Sequence, residues 1–463
     1  MFKNGTKYNT KHTRTSTVHV HHHHGKSSSS KSTGTINATE QFSPELCTLR
    51  KQRQIRKRKE KAFNKLVDKI LGPIIITRRL SSLKHCFLII QYLRKIIESE
   101  VISYLFDDAP ESGELREIAP GVLWLRMPLP MALDHINLYL LEDADGWWII
   151  DTGIAIGQTQ ELWEKVFERH LKGKPVKAVV STHYHPDHTG MAGWLCEKWQ
   201  VPFYMTEAEY FTGLSFSRTT NEHFSWASER YLTRSGYTPE QIIKLREHFG
   251  GFGPYITPMP TAYRRMVDGG FLTINGNRWQ VIIGRGHSPE HACLYSSSLN
   301  ILISGDQVIP RITSNISVTG SEPEGNPLKD WFRSLEHFLE VLPDDTLVLP
   351  AHNTPFYGLH ERLRYLIEHH EEHLLGLEEA CLSDPASAME LLPVLFKRKL
   401  DDHNLGLALG ECIAHLNYLH HRGQIERTVD EQGCYRYISV DSTLPMRLRK
   451  QRHDADDAAP MQV

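Results

Sequence analysis

The run Ser181-Thr182-His183-Tyr184-His185-Pro186-Asp187-His188-Thr189-Gly190 constrains this chain more than any other stretch. It follows directly on the apolar segment Val176 to Val180, which reads as a buried strand. A strand end holds side chains on a rigid base, and H-x-H-x-D-H gathers three imidazoles and one carboxylate within six residues. Those donors suit Zn2+, Fe or Mn2+. In a tight loop His183 and His185 can face one way and Asp187 and His188 the other, so one loop can serve two ions. A single histidine is more often a satisfied polar residue than a ligand, but this spacing has little structural reason to arise.

Three more strand ends carry donors. Gly284-Arg285-Gly286-His287-Ser288-Pro289-Glu290-His291 follows Val281 to Ile283, Gly305-Asp306 follows Ile301 to Ser304, and His352 follows Leu347 to Leu349 with Pro350-Ala351 between. Nearer the front stands Trp148-Ile149-Ile150-Asp151-Thr152-Gly153. In this order the five blocks resemble the metallo-β-lactamase superfamily, and the resemblance covers about residues 115 to 360. It implies that His183, His185 and His287 hold a first metal, that Asp187, His188 and His352 hold a second, and that Asp306 bridges both. Asp151 would orient ligands rather than bind metal, and Glu290 and His291 are candidates for the same work. Two divalent metal ions, Zn2+ or alternatively Fe or Mn2+, would acidify a shared water so that hydroxide attacks, with Asp187 and Asp306 as the catalytic carboxylates that align it. Met191 departs from the family pattern, where a second glycine is common, without removing a ligand.

From about Glu114 the chain alternates short β-rich runs with helical patterns: Asn137 to Leu141, Trp147 to Ile150, Val176 to Ser181, Pro202 to Met205, Trp279 to Ile283, Ala292 to Ser296, Asn300 to Ser304 and Thr346 to Leu349. Ser296 to Leu299 reads as a tight connection between paired strands. The fold class is α/β, with helices outside a mixed sandwich; the resemblance sharpens this to an αββα sandwich. Residues 206–268 form a mostly helical, aromatic-rich insert, the kind of insertion that builds lids or substrate walls. The catalytic domain is expected over 107–360 and a winged-helix-like module over 361–445, where Leu409, Ile413, Leu416 and Leu419 mark a helix face ahead of a hairpin around Asp430 to Gly433. The donor run Glu368 to His373 reads as a solvated helix face and is assigned no metal.

Charge separates the ends. Residues 1–106 hold 21 Lys+Arg against 6 Asp+Glu, and the remainder 32 against 49. The front therefore reads as a basic extension, disordered or helical, with a tag-like run at His19 and His21 to His24; residues 446–463 read as a disordered tail. An organellar presequence is the alternative for the front. Seven scattered Cys without a CxxC pair read as reduced thiols, and the apolar runs are too short to span a bilayer. A cytoplasmic location follows from these readings.

The absence of Cys among the second-metal ligands resembles the glyoxalase II, lactonase and ribonuclease-like branches. The expected partner is a small acyl, thioester or lactone substrate, because the acidic balance of 107–463 disfavours a long phosphate track. A ribonuclease or phosphodiesterase acting on nucleic acid is the first alternative, and a non-catalytic metabolite-binding member the second.

Overall fold

The computed structural model describes residues 102–447 except 132, 248, 249, 398 and 445, and the side chains of 402 and 403 are also left aside. The expectations for the basic front up to residue 101, its histidine run, and the tail beyond 447 lie outside the described residues.

Two seven-stranded sheets face each other. One runs in the order β1 (Ser103–Tyr104), β14 (Phe356–Tyr357), β13 (Leu347–Pro350), β12 (Ile301–Gly305), β11 (His291–Ser296), β10 (Asn277–Gly284) and β9 (Phe271–Ile274). The other holds β2 (Leu115–Ala119), β3 (Val122–Pro128), β4 (His135–Asp143), β5 (Gly146–Ile150), β6 (Val176–Val180), β7 (Phe203–Met205) and β8 (Arg264–Arg265), in chain order. The pairs β5–β6, β6–β7 and β12–β13 are parallel. Parallel pairing brings β5 and β6 to end on one side, and likewise β12 and β13.

Strand periodicity explains the layers. On β4, Tyr139 and Leu141 point between the sheets, while Ile136, Leu138 and Leu140 point outward onto helices. On β12 and β13, Ile301, Ile303, Leu347 and Leu349 fill the middle and Leu302 and Val348 face outward. Both faces are covered, so these strands read as unbroken apolar runs rather than alternating ones.

Outside the β2–β8 sheet lie α1 (Gly157–Arg169), α2 (Pro186–Thr189) and α3 (Ala192–Trp199), with Trp163, Val166 and Leu195 in the shared core. The insert supplies α4 (Glu207–Arg218), α5 (Trp226–Ser235) and α6 (Pro239–Glu247). Outside the other sheet lie α7 (Pro327–Val341), α8 (Leu359–Ala380), α9 (Ala388–Leu395) and α10 (Asp402–His421), followed by the hairpin β15 (Ile425–Val429) and β16 (Tyr435–Ser439). One apolar cluster joins Val348 and Phe356 of the sheet to Leu363, Leu377 and Leu416 of these helices. The reading of Glu368 to His373 needs correction: Glu368, Glu371 and Glu372 are exposed, but His370 is buried because α10 packs over it.

Candidate metal centre

All seven donors meet at one rim, where β6, β10, β12 and β13 end. One atom each of His183, His185, His287 and Asp306 lies within 4.8 Å of the others, and so do atoms of Asp187, His188 and His352. Asp306 faces both groups. Its Oδ2 is 3.4 Å from His287 Nε2 and 3.5 Å from His188 Nε2, and its Oδ1 is 3.3 Å from His352 Nε2. Asp187 Oδ2 lies 3.5 Å from His352 Nε2 and 3.6 Å from His188 Nε2.

Hydrogen bonding fixes which nitrogens carry lone pairs. The His287 Nδ1 proton goes to the Asn315 carbonyl at 2.8 Å, so Nε2 is bare. Thr182 donates its hydroxyl proton to Asp151 Oδ2 at 2.9 Å and can only accept from His183 Nδ1 at 3.1 Å, which leaves His183 Nε2 bare too. These two bare nitrogens sit 3.2 Å apart, and His185 Nδ1 is 2.8 Å from His183 Nε2. A proton on His185 can serve one of them and leaves the other facing a lone pair. A cation resolves the conflict, since tetrahedral ligands at Zn–N distances of about 2.1 Å lie roughly 3.4 Å from one another. In the second group His188 Nε2 and Asp306 Oδ1 are buried without hydrogen-bond partners. The donor set therefore fits divalent metal.

The charges agree. Burial and the surrounding imidazoles push His183 and His185 well below the ordinary histidine range, the state a ligand needs. Burial also opposes charge on His188, yet Asp187, Asp151 and Asp306 outweigh it and raise His188 well above its usual value. Burial works against ionising Asp306, but His352 and His188 hold it well below the carboxylate range. Carboxylates at this rim demand positive charge.

The supports come from distant segments. Asp151 takes a left-handed backbone at φ 60°, uncommon for a residue with a side chain, and this turns its carboxylate onto Thr182 N at 2.7 Å and His188 Nδ1 at 2.8 Å. His352 Nδ1 donates to the His135 carbonyl at 2.9 Å. His291 accepts from Asp306 N at 3.0 Å and stacks on His183, whereas Glu290 ties to Arg285. Gly305 makes room for that imidazole: a Cβ there would sit 2.6 Å from the His291 ring. Buried Arg362 on α8 donates to the carbonyls of Ile309 and Ile312, each at 2.6 Å, and pins the loop after β12 that brings Asn315 to His287.

The sequence reading missed Glu209, which is fully buried on α4. It accepts Tyr184 N at 3.1 Å, Ser288 Oγ at 2.7 Å and Glu290 N at 2.6 Å, clamping two donor-bearing loops to the insert. Burial raises its carboxyl to about 7. Beside it Phe252 stacks on both Tyr184 and Phe216, those two meet at a tilt, and Tyr184 and Phe252 both contact the His185 ring. The insert thus forms an aromatic wall at the metal rim. No signal within one segment announces Glu209 or Asn315, because each acts on loops far away in sequence.

Comparison with known proteins gives the same picture. Residues 132–352 match the metallo-beta-lactamase superfamily, and residues 374–440 match the metallo-beta-lactamase-like C-terminal domain. A beta-lactamase domain protein from Burkholderia ambifaria of known crystal structure is 41% identical; the match covers 74% of this chain and 99% of that one, with a TM-score of 0.69. The probable metallo-hydrolase YqjP of Bacillus subtilis (strain 168) is 22% identical over 318 residues, 64% of this chain and 92% of its own length. Human acyl-coenzyme A thioesterase MBLAC2 is 24% identical over 254 residues, 52% of this chain and 81% of its own. Fold, donor cluster and relatives converge, and the chain belongs to the metallo-β-lactamase superfamily as one of its metallo-hydrolases.

Proposed function

We propose that this hydrolase cleaves a small acyl substrate, a thioester or lactone, at a dinuclear centre. His183, His185 and His287 would hold one ion, Asp187, His188 and His352 the other, with Asp306 shared. Divalent cations there supply Lewis acidity, which acidifies water and polarises an acyl oxygen. The protein's own groups do the rest. Asp306, between both donor sets, orients water by accepting its hydrogen bond. Asp187, less enclosed than Asp306, faces the donors through Oδ2 and is placed to take up the proton on its other oxygen and pass it towards the leaving group. The wall of Tyr184, Phe216 and Phe252 receives the apolar acyl part and keeps bulk water off the carbonyl.

The observation that carries the acyl reading is this aromatic wall standing directly on His185. The thioesterase activity named for the human relative supports it. Among the described residues no helix is long and apolar enough to cross a membrane. The test is a panel of thioester, lactone, alkyl sulfate, phosphodiester and β-lactam substrates with metal-loaded protein. Thioester or lactone turnover is expected, abolished by chelation and reduced more than about 100-fold in His185→Ala, beyond the usual effect of outer-sphere residues. Cleavage of the phosphodiester or the alkyl sulfate, with no thioester or lactone turnover, would overturn the substrate class. His185→Ala retaining its metals and its rate would overturn the site.

A further inference from the structure

On the far side of α7 from the rim, the C-terminal helices bury a second set of imidazoles. One nitrogen each of His370, His373 and His415 lies within 4.8 Å of the others. His370 and His415 are fully buried, and His373 sits at the margin, half-covered. The first two approach each other at 3.1 Å through His370 Nδ1 and His415 Nε2. His415 Nδ1 donates to the Glu411 carbonyl at 2.8 Å, so its Nε2 carries a lone pair aimed at His370.

A hydrogen bond from His370 to His415 would satisfy that contact alone. It leaves His370 Nε2 and His373 Nδ1 buried with no hydrogen-bond partner, an uncompensated arrangement for polar atoms. Trp331 and Phe332 close one side with ring edges, and no carboxylate enters the set. Three neutral imidazoles converge here, one of them oriented by a backbone carbonyl, and a shared electrophile would draw together the lone pairs they direct at one another. We infer that His370, His373 and His415 form a third metal site, distinct from the catalytic rim, which takes a divalent cation of the Zn2+ class and ties α8 to α10. Three histidines with one open position suit Zn2+, with Ni2+ and Cu2+ as competitors for an all-imidazole set. Burial holds all three imidazoles below the ordinary histidine range, so no proton competes at neutral pH.

The site also connects to the catalytic rim. Glu411, whose carbonyl orients His415, accepts from Asn315 Nδ2 at 3.0 Å through its carboxylate, and the Asn315 carbonyl orients His287. A cation between α8 and α10 would fix the helix that positions a donor of the first group.

The test counts metal per chain. Full-length protein is stripped with chelator, equilibrated with Zn2+, desalted and assayed by elemental analysis, alongside His373→Gln and His369→Gln. His373→Gln should hold one equivalent less than wild type while melting at the same temperature in the metal-free state. His369→Gln, which changes a neighbouring imidazole outside the set, should hold the full number. The run at His19 and His21 to His24 is common to all three proteins and cancels in the difference. Equal counts in wild type and a folded His373→Gln would overturn the proposal. Should that variant not fold, anomalous diffraction at the zinc edge from Zn2+-equilibrated wild-type crystals decides: a peak among the three imidazoles supports the site, and its absence there, with peaks at the rim, overturns it.

Discussion

At the scale of single residues, the centre depends on groups that touch no ion. Asp151 accepts from Thr182 N, Thr182 Oγ1 and His188 Nδ1 while holding a left-handed backbone. Asparagine tolerates that backbone, so Asp151→Asn isolates the charge from the fold. Without the anion His188 becomes a poorer donor and its ring loses orientation; metal affinity and kcat/KM should fall about 10- to 100-fold, with little change in the metal-free melting temperature. Competition with a chromophoric chelator measures the first and steady-state kinetics the second; an unchanged affinity would show that Asp151 serves only the backbone turn. The donors themselves were legible because four sit in one short run and the others follow apolar strands. Asp151 was legible as well, from the block that carries it, but the backbone partners were not. His287 and His352 are oriented by the carbonyls of Asn315 and His135, and a carbonyl belongs to every residue, so no side-chain type marks those positions.

At the scale of elements, most buried strands were legible, β3 being the exception because Arg126 and Pro128 interrupt its apolar run, and the marginal ones were not. Runs such as Val176–Val180 and Leu347–Pro350 are apolar because both faces are covered. β2 carries Arg116 and Glu117 on a partly covered edge, and β1, β8 and β14 are two residues long and exist only through their pairing with a neighbour. Helix α10 was legible from its leucine spacing, but its polar residues were not placed. Glu411 is buried against Asn315, and burial raises its carboxyl from 4.5 to about 7. The folded state therefore holds a proton that the unfolded chain releases, and the stability contributed by the neutral acid declines as pH rises from about 4.5 to about 7. Glu411→Gln keeps an acceptor for Asn315 without that titration. The variant should match wild type at pH 5 and exceed it at pH 8 by about 2–3 kcal/mol, at about 1.4 kcal/mol per pKa unit. Urea denaturation at the two pH values measures this; a gap that does not change with pH would mean the carboxyl does not titrate in that window.

At the scale of the whole molecule, the sequence suggested a catalytic unit followed by an appended module, and the packing joins them. Val348 and Phe356 of the β12–β13–β14 region share one apolar cluster with Leu363, Leu366, Leu374 and Leu377 of α8 and Leu416 of α10. Periodicity shows that each helix has an apolar face, but not which surface that face covers, so this continuity could not be read from the chain. Each of those leucines contributes about 1.5–3 kcal/mol of burial, and Arg362 on α8 adds the two contacts that pin the loop carrying Asn315. A chain ended at Gly358 would bare the outer face of the sheet and free that loop. It should aggregate, or fold without a competent first donor group, even though all seven donors precede the cut. Deletion of residues 1–101 removes none of these contacts among the described residues, and thioester or lactone hydrolysis should survive it. Expressing both truncations and comparing solubility, bound metal and turnover tests the argument: if the chain ended at Gly358 were soluble and active, the C-terminal helices would be an accessory to the hydrolase rather than one wall of its core.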